Sequence, residues 1–174
     1  DGMAPTSILF YKDVGHSQEG AQEVVSLFGD KGVFDGPKPV RLLQRLITLA
    51  NLKDDSIVLD FFSGSATTAH ALMKTNLEKG TDRKFILVQL PEKVSDKKKD
   101  QGYGTICEIG KERIRRAGKK ILEELATKKA ENGLFDKESE PTRLDVGFRV
   151  LKLDTSNMQD VYYTPEDSSA ATLF

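Results

Sequence analysis

The stretch VLDFFSGSATTAHAL, residues 58–72, carries an apolar run straight into a turn of small residues and on into helix-forming sequence. An apolar run without clean alternation suits a strand covered on both faces, the pattern of parallel α/β sheets. Small residues at its end let the backbone turn sharply and let a ligand approach the main chain. The helix that follows aims unpaired amides and its positive dipole end at whatever sits there, so an anionic group is expected. Past Gly80, RKFILVQLPE supplies a second strand, stopped by Pro91. Strand, helix, strand is a βαβ unit, which favours a parallel pair and places the chain in the α/β class.

Three kinds of ligand compete for the turn. A phosphate-binding P-loop needs Gly-Lys-Ser/Thr, whereas Gly64 is followed by Ser65 and Ala66 with no lysine in place. A dinucleotide site needs G-x-G-x-x-G, and GSATTA offers the first glycine alone, which serves a pyrophosphate poorly. S-adenosylmethionine carries a carboxylate that suits such amides and an ammonium that wants an acid nearby. Asp60, at the strand end, supplies that acid.

Working outward, DKGVFDGPKPV collects glycines and prolines and reads as a loop, because each proline removes a backbone donor and biases its predecessor away from helix. VRLLQRLITLANL then sets Leu42, Leu43, Leu46, Ile47 and Ala50 on one stripe of an amphipathic helix. Further upstream, SILFY at Ser7–Tyr11 has the content of a short strand, and a helix is expected around Glu19–Phe28, closed by Gly29. Downstream, TICEIGKERIRRAGKKILEELATKKA reads as one long amphipathic helix, with Ile106, Ile109, Arg113, Ala117, Ile121 and Leu125 near a helical repeat. Its basic residues suit DNA phosphate, but glutamates alternate with them, as on a solvated face laced with ion pairs. RLDVGFRVLKLD alternates well enough for one more strand.

At 174 residues the chain has the size of one domain. The 26 Lys+Arg against 27 Asp+Glu leave a net charge of -1, so no global field points to nucleic acid or membrane and any basic surface is local. The single cysteine, Cys107, excludes an internal disulfide framework and fits a reducing compartment, the cytoplasm by default. No stretch approaches the roughly 18 to 20 apolar residues of a membrane span. His16 and His70 enter no catalytic reading, and no metal site is expected.

DFFSGSATTAHA resembles the D-x-F-x-G-S-G-T-T cofactor motif of amino-methylating DNA methyltransferases of the β permutation, and FDGPKPVRLLQRLI ahead of it resembles their Lys-Pro motif and its helix. The order, Lys-Pro loop first and cofactor strand second, is characteristic of that permutation. With the tail RLDVGFRVLKLDTSNMQDVYY, the likeness is strongest to the modification (Mod) subunits of type III restriction-modification systems and spans Phe34 to Tyr163. The resemblance implies the cofactor-binding half of a mixed, mainly parallel sheet, part of a Rossmann-like S-adenosylmethionine-dependent methyltransferase fold. It implies that Asp60 faces the methionine end of the cofactor and that Phe62, Gly64 and Ser65 floor the pocket. Thr67 and Thr68 would open the helix and bind the carboxylate, and Lys38 with Pro39 would close the pocket. An acid often holds the ribose hydroxyls in this family; Gln89 stands at that place, with Glu92 nearby. Ala66 replaces the motif's second glycine, at a cost in backbone freedom or in pocket width.

Methylation of an exocyclic amine also needs an acceptor for the amine and a flat surface for the flipped base, which this family supplies as Asp/Asn-Pro-Pro-Tyr/Phe. The six prolines, at 5, 37, 39, 91, 141 and 165, include no adjacent pair, so that motif is absent and no catalytic residue is expected in this chain. Cys107 does not follow a proline, which excludes a C5-cytosine nucleophile, and it reads as a small core residue. The expected organisation is the tail of an upstream region at 1–33, the cofactor half at 34–130 and a C-terminal extension of strand plus loop at 131–174. The resemblance implies an adenine-N6 methyltransferase acting on DNA as a Mod homodimer with a restriction (Res) partner. The rival reading is a non-catalytic DNA-binding or assembly module with a degenerate pocket.

Overall fold

A computed structural model describes residues 7–95, 98, 102–132 and 144–155. Its elements are α1 (Tyr11–Val14), α2 (Ser17–Phe28), α3 (Val40–Leu49), β1 (Ile57–Asp60), α4 (Thr67–Lys79), β2 (Lys84–Leu87) and α5 (Ile106–Asn132). β1 and β2 pair in parallel, Ile57 opposite Lys84 and Asp60 opposite Leu87, with α4 as the crossover. The chain is therefore α/β with a small parallel sheet.

Alternate side chains of a strand point to opposite faces. On one face Val58 and Phe85 pack with Val40 and Ile47 of α3 and Ala71 and Leu72 of α4. On the other, Ile57, Leu59 and Ile86 are 60%, 60% and 51% exposed. The cover expected on both faces is thus present on one, among the described residues. α5 lies across α4, where Ala66, Ala69 and Met73 meet Ile114, Ala117 and Ile121. The N-terminal part of α5 takes α2 and the loop after it through Ile109, Val24 and Val33. With α3 on one side and α5 on another, α4 is buried or half-buried from Thr67 to Leu77, and only Glu78 and Lys79 at its end are exposed.

The C-terminal end of α4 is closed by a set of cross-ties. Gly80 takes the left-handed conformation, and both its amide and that of Thr81 donate to Asn76 O. Asn76 Nδ2 donates to Arg83 O at 2.8 Å, while Asn76 Oδ1 accepts from Thr81 Oγ1 at 2.8 Å and from Arg83 N at 3.3 Å. The Arg83 guanidinium in turn donates to Leu52 O and Lys53 O, pinning the entry to β1.

Several expectations are corrected. Ser7–Phe10 form no strand: no neighbouring strand offers a ladder, and Phe10 O instead accepts from Asp13 and Val14 to start α1. The strand expected over RLDVGFRVLKLD is absent from 144–155, although Leu144, Val146 and Phe148 alternate onto the α4–α5 cluster. Here the two-residue period reflects packing on helices, with Val146 against Gly118 and Arg115 stacked over Phe148 at 5.6 Å. The α3 stripe divides, Leu43 and Ile47 facing the core while Leu46 is 45% exposed. On α5, Arg116 pairs with Glu112 at 2.7 Å and Lys119 with Glu123 at 3.7 Å, ion pairs along the helix. No helix among the described residues is long and apolar enough to cross a membrane.

Candidate functional site

The end of β1 and the start of α4 are tied together before any ligand is considered. Asp60 Oδ1 accepts from Phe62 N at 3.2 Å, and Oδ2 accepts from Thr68 Oγ1 at 2.5 Å. The turn between them is pinned to the end of β2, Ser63 N donating to Val88 O and Gly64 N to Gln89 Oε1 at 2.8 Å. Gly64 has φ +51°, and a Cβ there would lie 3.2 Å from the Phe34 ring; glycine is needed on both counts. Ala66 sits at the N-cap with φ 62° and ψ 37°, a left-handed conformation that costs an L-residue about 1–2 kcal/mol. Its methyl packs against α5, so the departure from the glycine motif strains the backbone and leaves the width of the turn's mouth alone.

No side chain caps α4. The first-turn amides of Thr67, Thr68 and Ala69 have no acceptor within the helix, and both threonine hydroxyls are drawn away from them. Thr68 serves Asp60, while Thr67 Oγ1 and Ser65 Oγ, 3.4 Å apart, both accept from Arg113 Nη1, at 2.7 and 2.8 Å. The turn therefore offers a ligand uncapped backbone amides and the helix dipole, beside hydroxyls that accept from Arg113 and keep their own protons.

Arg113 is the residue that sequence reasoning missed. It is fully buried, and its Nη2 lies 3.7 Å from Glu23 Oε2. Glu23 also accepts from Val40 N with both carboxylate oxygens, at 3.1 and 3.0 Å. One chain of contacts thus runs from the start of α3 through Glu23 and Arg113 to Ser65 and Thr67, joining the Lys-Pro loop to the turn. That loop is pressed onto α2, where a Cβ on Gly20 would fall 2.2 Å from Pro37 O. Pro39 is buried, while Lys38 is exposed and forms no ion pair among the described residues. Burial lowers the Arg113 pKa to about 10, leaving it charged at neutral pH, and burial raises that of Glu23 against the pull of the Val40 amide and of Arg113. An arginine inside the apolar stripe Ile109, Ala117, Ile121 was the available signal, since a charge at such a position must find a partner.

Gln89 faces the turn with its carbonyl committed to Gly64 N and its amide donating to Leu90 O at 3.3 Å. Cys107 is half-buried at this edge, its thiol donating to Gln89 O, and so is a latch on the β2 exit more than a core residue. Beside Asp60 and Thr68 a groove of about 480 Å³ opens, walled by Leu46, Leu59, Phe61 and Phe62. His70, one turn into α4, is held neutral: burial first, then the Arg113 charge, lowers its pKa to about 3. Nine residues singled out in the sequence therefore gather as a turn (Asp60, Phe62, Gly64, Ser65, Thr67, Thr68), its β2 anchor (Gln89) and a neighbouring loop (Lys38, Pro39).

Residues 5–120 match the DNA methylase family. The chain belongs to that family. The match runs through the Lys-Pro loop, the turn, Gln89 and Arg113. This methylase chain is 41% identical over 152 residues to the StyLTI Mod subunit, a type III restriction-modification enzyme of Salmonella typhimurium, covering 86% of the chain and 21% of that subunit. It is 41% identical over 114 residues to the EcoPI Mod subunit of Escherichia phage P1, covering 64% of the chain and 17% of the relative. A type II methyltransferase, M.KpnI of Klebsiella pneumoniae, is 39% identical over 74 residues, 42% of the chain and 17% of that enzyme. The chain thus spans between about a sixth and a fifth of the length of these relatives.

Proposed function

We propose that this chain is the S-adenosylmethionine-holding half of a Rossmann-like DNA adenine-N6 methyltransferase, the modification subunit of a type III restriction-modification system. The observation that carries the reading is the turn at 63–68, with Asp60 at one lip and the bare first-turn amides of α4 at the other. A zwitterionic amino-acid tail matches that pair, carboxylate on the amides and dipole, ammonium on Asp60. When bound, S-adenosylmethionine supplies an electrophilic methyl group. The chain's own residues bind and orient: Asp60, Thr67 and Thr68 set the tail's place, Phe62 and Gly64 give the floor, Ser65 and Gln89 hold the turn, and Lys38 with Pro39 flank the opening.

The target base is held elsewhere. No adjacent proline pair exists in these residues, so the base-binding motif belongs to another segment of the subunit. In this reading the whole subunit binds DNA, forms a homodimer and works with a restriction partner, as the kinship to type III Mod subunits supports. Isothermal titration of S-adenosylmethionine into the chain, with Asp60→Ala as control and NAD as competitor, tests it. Saturable binding, lost in the control and indifferent to NAD, is expected. Absence of binding by a folded sample would count against the reading in favour of an assembly module.

A further inference from the structure

Arg113 does more than fill space. Its Nη1 carries two hydrogens and spends both, one on Ser65 Oγ and one on Thr67 Oγ1. A hydroxyl that accepts from a guanidinium has its own proton left to give, and the two hydroxyls can use at most one of these on each other across 3.4 Å. At least one donor therefore remains at the turn, polarised by a cation behind it. The cation is held away from water at 0% exposure, where its field is screened least. Among the described residues its acidic partner is Glu23, 3.7 Å from Nη2 and shared with the Val40 amide, whereas the turn hydroxyls take Nη1. Nε and Nη2 form no hydrogen bond among the described residues, so the charge is only partly neutralised.

We propose that Arg113 is a positioning residue for the ligand carboxylate, acting through Ser65 and Thr67 to make the start of α4 selective for an anion without touching the ligand itself. The inference rests on the cofactor reading given above, which the same experiment tests separately. Titration of the chain with S-adenosylmethionine and with its decarboxylated form, which keeps the ammonium and nucleoside, isolates the carboxylate. Arg113→Gln is expected to weaken S-adenosylmethionine at least about tenfold and the decarboxylated form less than about twofold. Arg113→Lys, which keeps the charge, is expected to lie within about fivefold of the parent.

Equal losses for both ligands, or a lysine variant as weak as the glutamine one, would overturn the inference and leave the cofactor reading standing. A parent chain that is folded and binds neither ligand would overturn both. Should Arg113→Gln fail to fold, Glu23→Gln gives the opposite sign: it keeps an acceptor for Val40 N and removes the counter-charge. It is expected to tighten S-adenosylmethionine relative to the decarboxylated form, and no change in that ratio would sink the proposal.

Discussion

The two ends of α4 are built on opposite principles. At the C-terminal end the helix is capped and cross-tied: Gly80 caps, and Asn76 alone joins Thr81 and Arg83 into one unit, with Arg83 Nη1 left without a hydrogen bond among the described residues. At the N-terminal end there is no side-chain cap, an alanine is forced into a left-handed conformation, and a buried cation sits behind two hydroxyls. The first end is closed for stability. The second keeps orphan donors and strain together, a combination that pure stability would remove and that a ligand site uses.

Substitutions can break or sharpen that contrast. The largest effect is expected at the closed end: Asn76→Ala removes three hydrogen bonds and strands buried partners, destabilising by about 3 kcal/mol in thermal or urea unfolding. The folded fraction should bind ligand as before, and altered affinity would show that the two ends are coupled. Gly64→Ala, at the open end, meets both a positive φ and the Phe34 ring, for a loss of about 2 kcal/mol. Phe34→Leu should recover part of that loss in a double-mutant cycle, because the ring supplies the steric share.

His70 gives a pH signature belonging to the open end alone. Below its ordinary value of 6.5 the unfolded chain takes up a proton that the folded chain refuses until about pH 3, so stability falls as pH drops through that window. The slope approaches ~1.4 kcal/mol per pH unit from this group. His70→Gln should flatten the curve of unfolding free energy against pH by that share, and an unchanged curve would place the acid sensitivity elsewhere. The smallest effect is expected from Ala66→Gly, which relieves the left-handed alanine but adds freedom to the unfolded chain, a net gain of about 0.5 kcal/mol by the same unfolding measurements.

The sequence made the centre of this molecule legible and its edges much less so. Strand, turn and helix at 57–79 were readable because apolar run, small residues and Gly80 agree with one another. The α3 and α5 helices followed from their stripes. SILFY and RLDVGFRVLKLD misled for a shared reason: β-forming content describes what a segment tolerates, whereas a strand exists only beside another strand. Within the site, the spacing of Asp60, Gly64, Thr67 and Thr68 was visible, but the destinations of the hydroxyls were not. Those depend on Arg113 and Glu23, 46 and 44 positions from Thr67 in the chain. Pattern reading registers that an arginine stands in an apolar stripe; only packing shows which loop it serves.

The face of the strand pair bearing Ile57, Leu59 and Ile86 has one more consequence. Two strands alone are marginal in water, and each of these side chains is worth about 1.5–3 kcal/mol when fully withdrawn from it. A second copy or another subunit that covered them would stabilise the pair by mass action. With such a partner the melting temperature of this chain would rise with the partner's concentration, and a value measured at one concentration would describe an equilibrium and not a constant of the sequence.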